Sequence, residues 1–169
     1  HLSIRRQRQM CIRDSLTSDL TNVDQYADGS TTSYRVNSSI IESAITSGTN
    51  VILKAQRNIY VQSDIIATGS SGGDLTLNAG VDIDISANIT TANGNLTLEA
   101  NNESVSGRGN NRYSDINISS TINLGTGDLN ITLGNSNTTG SYDIDLSAAT
   151  INANNITITD SATNTSQPS

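Results

Sequence analysis

The sequence has no Phe and no Trp, and it holds one Pro, one Cys, one Met and one His. Without large rings no core can rest on a few aromatic anchors, so any core must be built from many small aliphatic layers. No apolar run is long enough to span a bilayer as a helix. No segment combines a charged start, an apolar middle and a small-residue cleavage site. What the chain does have is Asn, Ser and Thr in quantity, set between short groups of Ile, Leu, Val and Ala. That composition suits a thin, repetitive β structure.

The first fifteen residues, HLSIRRQRQMCIRDS, differ from everything after them. They contain Arg5, Arg6, Arg8 and Arg13 of the nine basic residues, together with His1, Met10 and Cys11. The string resembles the read-through translation of a sequencing adapter, so residues 1–15 read as an artefact and not as native sequence. From Leu16 onward, five Lys or Arg face fifteen Asp or Glu. An acidic chain of this kind is not expected to bind phosphate backbones, which excludes nucleic acid as a partner.

Self-comparison reveals repeating units. A first strand is expected at Val51 and Leu53, Leu75 and Leu77, Leu96 and Leu98, Leu129 and Ile131, and Ile156 and Ile158, each alternating apolar with polar. A second is expected at Ile59 and Val61, Ile83 and Ile85, Ile116 and Ile118, and Ile144 and Leu146. A third, shorter apolar element follows at Ile65 and Ile66, Ile89, Ile122 and Leu124, and Ile151. The spacing from second strand to next first strand is nearly constant, whereas Ala100 to Ile116 is much longer than Ala79 to Ile83. Insertions therefore concentrate at one corner, near 102–113, with a smaller excursion from Gly134 to Tyr142, because loops accept length and packed strands do not.

A unit this thin cannot bury its apolar face alone and must stack on copies of itself at the strand spacing of about 4.8 Å. The expected fold is all-β: a right-handed parallel β-helix, or solenoid, with coils of about 21 residues and corner-loop insertions, the hand following the crossover preference. Asn50, Asp74, Asn95, Asp128 and Asn155 precede the first strand in every unit. Gly73, Gly94 and Gly127 stand before three of them. This reads as a structural turn ladder, with a left-handed Gly followed by a side chain that bonds local backbone. One short helix is expected near residues 39–46, with Ser39 and Glu42 spaced as a capping box and Gly48 ending it, packed over the neighbouring coil. Residues 16–37 read as irregular or as an incomplete coil, 38–160 as the β-helix, and 161–169 as a polar tail.

The strings GTNVILKAQRNIYVQSDI from Gly48 and GNLTLEA from Gly94 resemble the rods of filamentous-haemagglutinin-like exoproteins of Gram-negative bacteria, over about residues 38–160. The resemblance implies a secreted or surface-held rod exported by a two-partner route. It also implies adhesion, through a glycan or protein receptor on a host or neighbouring cell, and continuation into the rest of a long chain. It brings no catalytic residues to transfer.

With residues 1–15 set aside, no thiol or imidazole remains, so His- or Cys-based catalysis and zinc-type sites are not expected. What remains is an outward column on the second strand: Asn58, Asp82, Asp115 and Asp143 on one side of the inward Ile, and Tyr60, Asp84, Asn117 and Asp145 on the other. This column reads in three ways. It is a solvated acidic face; or a calcium ladder through Asp82, Asp84, Asp115, Asp143 and Asp145, although the Gly-rich calcium nonapeptide is missing; or a polysaccharide-cleaving site in which carboxylate pairs act as acid and base. The expected function is a non-catalytic rod that presents the corner loop, including Arg108, Arg112 and Tyr113, for contact. The alternative is a fragment of a carbohydrate-active β-helix enzyme. No cofactor is expected unless the ladder binds calcium.

Overall fold

The computed structural model describes residues 36–102, 113–134 and 141–161. Residues 1–15, read above as an artefact, the segment 16–35, the centres of both corner insertions and residues 162–169 lie outside the described residues. Helix α1 (Ser38–Thr46) is followed by β1 (Val51–Ala55), β2 (Ile59–Val61), β3 (Ile65–Ile66), β4 (Leu75–Ala79), β5 (Ile83–Ile85), β6 (Ile89–Thr90) and β7 (Leu96–Ala100). Then come β8 (Tyr113–Ile118), β9 (Thr121–Asn123), β10 (Leu129–Leu133), β11 (Ser141–Asp145), β12 (Thr150–Asn152) and β13 (Ile156–Asp160).

These strands form three parallel sheets that the chain visits in rotation. Their orders are β1-β4-β7-β10-β13, β2-β5-β8-β11 and β3-β6-β9-β12. One circuit through the three sheets takes 24, 21, 33 and 27 residues in succession, measured at the residue before the first strand. The insertions leave pairing untouched. Val51, Leu75, Leu96, Leu129 and Ile156 lie in register across the first sheet. Ile59, Ile83, Ile116 and Ile144 do so across the second, and Ile65, Ile89, Ile122 and Ile151 across the third. Alternation then puts every second side chain of β1, β4, β7 and β10 into one common aliphatic core, which the second and third sheets share. In the third sheet only one residue per strand turns inward, so Ile65 is buried while its neighbour Ile66 is exposed.

The helix forms where expected but is closed differently. Asn37 is its N-cap, its Oδ1 accepting the Ser39 N–H at 3.1 Å. Glu42 does not reach back to complete a capping box; its Oε1 accepts the Ile66 N–H at 3.1 Å. Thr46 Oγ1 accepts the Thr68 N–H, and the Ile45 carbonyl accepts the Gly73 N–H. The helix therefore lies against the first circuit, burying Ile41, Ala44 and Ile45. At its other end Gly48, at φ +81°, donates to the Ile45 carbonyl while Thr49 donates to the Ala44 carbonyl. That pair of bonds is the Schellman closure, and it needs the left-handed residue that Gly provides.

The glycines before the turn ladder have a different reason from the one expected. Gly73, Gly94 and Gly127 are not in the left-handed region. A Cβ on Gly73 would fall on the Thr49 carbonyl, one on Gly94 on the Gly73 carbonyl, and one on Gly127 on the Gly94 carbonyl. Successive circuits approach here backbone to backbone, and no side chain fits between them.

Candidate functional site

The chemistry of this chain is concentrated where the strands begin. The residue just before an inward aliphatic is repeatedly Asn or Asp, and its side chain reaches along the stack. Asn50 Oδ1 accepts the Asp74 N–H, Asp74 Oδ1 the Asn95 N–H, and Asn95 Oδ1 the Asp128 N–H, each at 2.8 Å. Asp128 Oδ1 accepts the Asn155 N–H at 3.1 Å, together with side-chain N–H groups of Asn154 and Asn155. The turn ladder thus bonds the equivalent residue of the next circuit, not its own local backbone. The reason lies in the geometry of stacked parallel strands: the N–H preceding each first strand is left over at the corner, and the neighbour's carbonyl-like Oδ1 stands one strand spacing away.

Two more columns follow the same rule. At the second strand, Asp82 Oδ1 accepts the Asp115 N–H and Asp115 Oδ1 the Asp143 N–H, both at 3.1 Å. At the third strand, Asp64 Oδ1 accepts the Asn88 N–H at 2.9 Å and Asn88 Oδ1 the Thr121 N–H at 3.0 Å. Sequence reasoning missed the third column. Its signal was present in Asp64-Ile65 and Asn88-Ile89, the same Asx-aliphatic step as in the other two, but short strands drew no attention to it. Asn58 departs from the pattern: its Nδ2 donates to the Tyr60 hydroxyl, and its Oδ1 is buried without a partner among the described residues.

This geometry redefines the acidic column. Asp82, Asp115 and Asp143 occupy consecutive circuits, whereas Asp84 and Asp145 are separated by Asn117. Burial pushes the Asp82 carboxyl above the usual range, opposed by the Asp115 N–H and reinforced by the Asp115 charge. Burial likewise raises Asp115, opposed by the Asp143 N–H and reinforced by the charge of Asp143. Asp145 is held low by the Ser147 hydroxyl and N–H, as a local turn. Asp128 is held low by the side-chain amides of Asn154 and Asn155. Among the described residues no three His, Cys, Asp or Glu side chains gather in a group that could hold a metal ion.

Of the expected contact loop, Arg108 and Arg112 lie outside the described residues, and of Tyr113 only the backbone, opening β8, is described. The root of the loop is fixed. Asn101, fully buried at φ 52°, donates its N–H to the Val81 carbonyl and its Nδ2 to the Gly134 carbonyl at 2.8 Å. It ties the start of one insertion to the start of the other. Among the described residues no helix is long and apolar enough to cross a membrane.

Comparison with family models, with curated proteins and with solved structures gives no match.

Proposed function

We propose that the described elements form a right-handed parallel β-helix serving as a structural rod in a secreted or surface-exposed bacterial protein of the filamentous-haemagglutinin-like kind. It carries no catalytic site and presents its corner insertions for attachment to a cell or surface. The observation that carries this reading is the set of Asx columns at all three strand starts. A fold whose polar side chains are spent on joining one circuit to the next is organised for length and stiffness, since each repeat contacts only its neighbours. The insertions sit at a single corner and leave the register of every sheet intact, which is how a solenoid displays variable loops.

Four measurements test this reading. Inserting further copies of the 21-residue unit 74–94 is expected to lengthen the particle seen by small-angle scattering by about 4.8 Å per copy at constant cross-section; growth in cross-section instead would sink the rod. Binding of the chain to cells or glycan arrays is expected to fall when residues 103–112 are replaced by a short Gly-Ser link, with the melting temperature retained. Sustained release of reducing ends from acidic or neutral polysaccharides, abolished by Asp82→Asn or Asp84→Asn, would instead establish the carbohydrate-active reading. In the proposed rod the carboxylates join circuits and need no calcium, so melting with and without chelator is expected to coincide.

A further inference from the structure

The side-chain columns that join the circuits have a direction. In every described link between circuits from an Asn or Asp Oδ1 to a backbone N–H, the oxygen belongs to the earlier circuit and the N–H to the later one. The same holds at the corner between the third and first sheets, where Asn93 Oδ1 accepts the Thr126 N–H at 3.0 Å. Helix α1 keeps this direction, since Glu42 and Thr46 accept N–H groups of the circuit that follows them. A stack built in this way has unlike ends. At the first, the Asn50 N–H stands where Asp74, Asn95, Asp128 and Asn155 each donate to an Oδ1, yet it has no partner among the described residues. At the last, Asn155 Oδ1 stands where Asn50, Asp74, Asn95 and Asp128 each accept an N–H, yet it accepts nothing among the described residues. One end lacks an acceptor and the other lacks a donor.

The ends also match in apolar register. Ile156 and Ile158, half exposed on β13, end the two inward rows that Val51 and Leu53 begin on β1. Asp160 ends the row that begins at Ala55, which is small and only partly buried. The β1 edge of a second copy, laid parallel on β13, continues these rows and brings its Asn50 N–H to Asn155 Oδ1. Two copies joined by their last circuits instead set acceptor against acceptor and reverse the strands. What stands in the way of the head-to-tail contact is α1, which buries Ile41, Ala44 and Ile45 against the first circuit. We propose that α1 is a stop that keeps copies of this chain from joining head to tail, and that the surface beneath it is the docking site for the open end of another copy. A contact between unlike ends does not close on itself, so chains freed of the stop add one to the next as a filament.

Sedimentation equilibrium of full chains tests this. The parent is expected to be a monomer, because its first end is covered. Ile45→Asp sets a charge beneath α1 and is expected to free that end, giving filaments while circular dichroism shows the β structure retained. Adding Ile156→Asp and Ile158→Asp blocks the last end of the same chain, and this triple variant is expected to be a monomer by itself. Mixed with the parent, it is expected to form a one-to-one complex and nothing larger, because each chain then offers one open end of the opposite kind. No complex between the two folded chains overturns the proposal. A parent that self-associates, and ceases to when Ile158→Asp is introduced, also overturns it, since that contact joins two last ends. Glu42→Ala with Thr46→Ala, which removes the two acceptors that α1 offers, takes the place of Ile45→Asp if the buried charge unfolds the stack; failure of that chain to bind the parent counts equally against the stop.

Discussion

The two ends of the stack solve the same problem to different degrees. At the first circuit, α1 supplies both kinds of partner that a missing neighbour would supply. Its apolar side gives Ile45, at 0% exposure, to the core, while Glu42 and Thr46 accept the Ile66 and Thr68 N–H groups. Val51 on β1 is consequently 1% exposed. At β13 neither partner is present among the described residues: Ile156 and Ile158, in register with Leu129 and Ile131, are 49% and 50% exposed. Tyr142, Ile144, Leu146 and Ile151 in the last circuit are only partly buried. The same sequence pattern therefore gives a closed core or an open one, according to what stacks on it. A lid on such a stack must satisfy backbone N–H groups as well as cover aliphatic side chains.

Burial separates the two ends most strongly. Ile45→Ala, beneath the helix, is expected to cost about 3 kcal/mol, because it removes transfer energy and leaves a cavity, whereas Ile158→Ala at the open end is expected to cost under about 1 kcal/mol. Equal shifts in urea midpoint for the two variants would mean that the ends do not differ in solution. Next in size is the turn column. Asn95→Ala leaves the Asp128 N–H without its 2.8 Å acceptor and is expected to cost about 1–2 kcal/mol by chemical denaturation, more than Asn50→Ala at the column's first, exposed position. Gly48→Ala meets no close atom, since the nearest is the Ser71 carbonyl at 3.7 Å, so its cost is the left-handed backbone alone. A loss of about 1 kcal/mol, with faster amide exchange at Ile66 and Thr68 than at Leu98, would tie the helix closure to the covered end.

The smallest expected effect concerns pH and carries opposite signs at different heights in the stack. Asp82 and Asp115 are raised, so whatever they add to stability is present while they are protonated and is lost as pH rises through their folded values. Asp82→Asn with Asp115→Asn keeps both Oδ1 acceptors and removes the charges. The pair is expected to be more stable than the parent by about 0.5 kcal/mol at neutral pH, a gain that disappears in acid. Asp128, towards the open end, is lowered: its contribution is present at neutral pH and lost as pH falls through its folded value. Asp128→Asn should therefore melt earlier than the parent at neutral pH and converge with it in acid. Melting curves across the acid range that shift in the same direction for both variants would dissolve the distinction.

Much of this was legible in the sequence. The three aliphatic ladders, the places where insertions fall and the short helix follow from alternation and near-constant spacing, which are properties of neighbouring residues along one chain. Asn50, Asp74, Asn95, Asp128 and Asn155 were recognisable as one set because they recur at one place in each unit. What they bond was not, since their acceptor oxygens serve N–H groups 21 to 33 residues away. The bonds of the acidic column were hidden for the same reason: Asp82 and Asp115 accept backbone N–H groups 33 and 28 residues further along the chain.

The sequence by itself determined the period of this protein, the face each aliphatic residue turns inward and the positions where the chain can lengthen. Local alternation and repetition encode all three. Only the tertiary structure decided that Gly73, Gly94 and Gly127 are required by a carbonyl of the preceding circuit, that Glu42 serves β3 instead of its own helix, and that Asn50 and Asn155 stand at opposite ends of one bonded column. Each of these depends on which circuit lies above or below, and contact between circuits is a property of the stack that no single repeat contains.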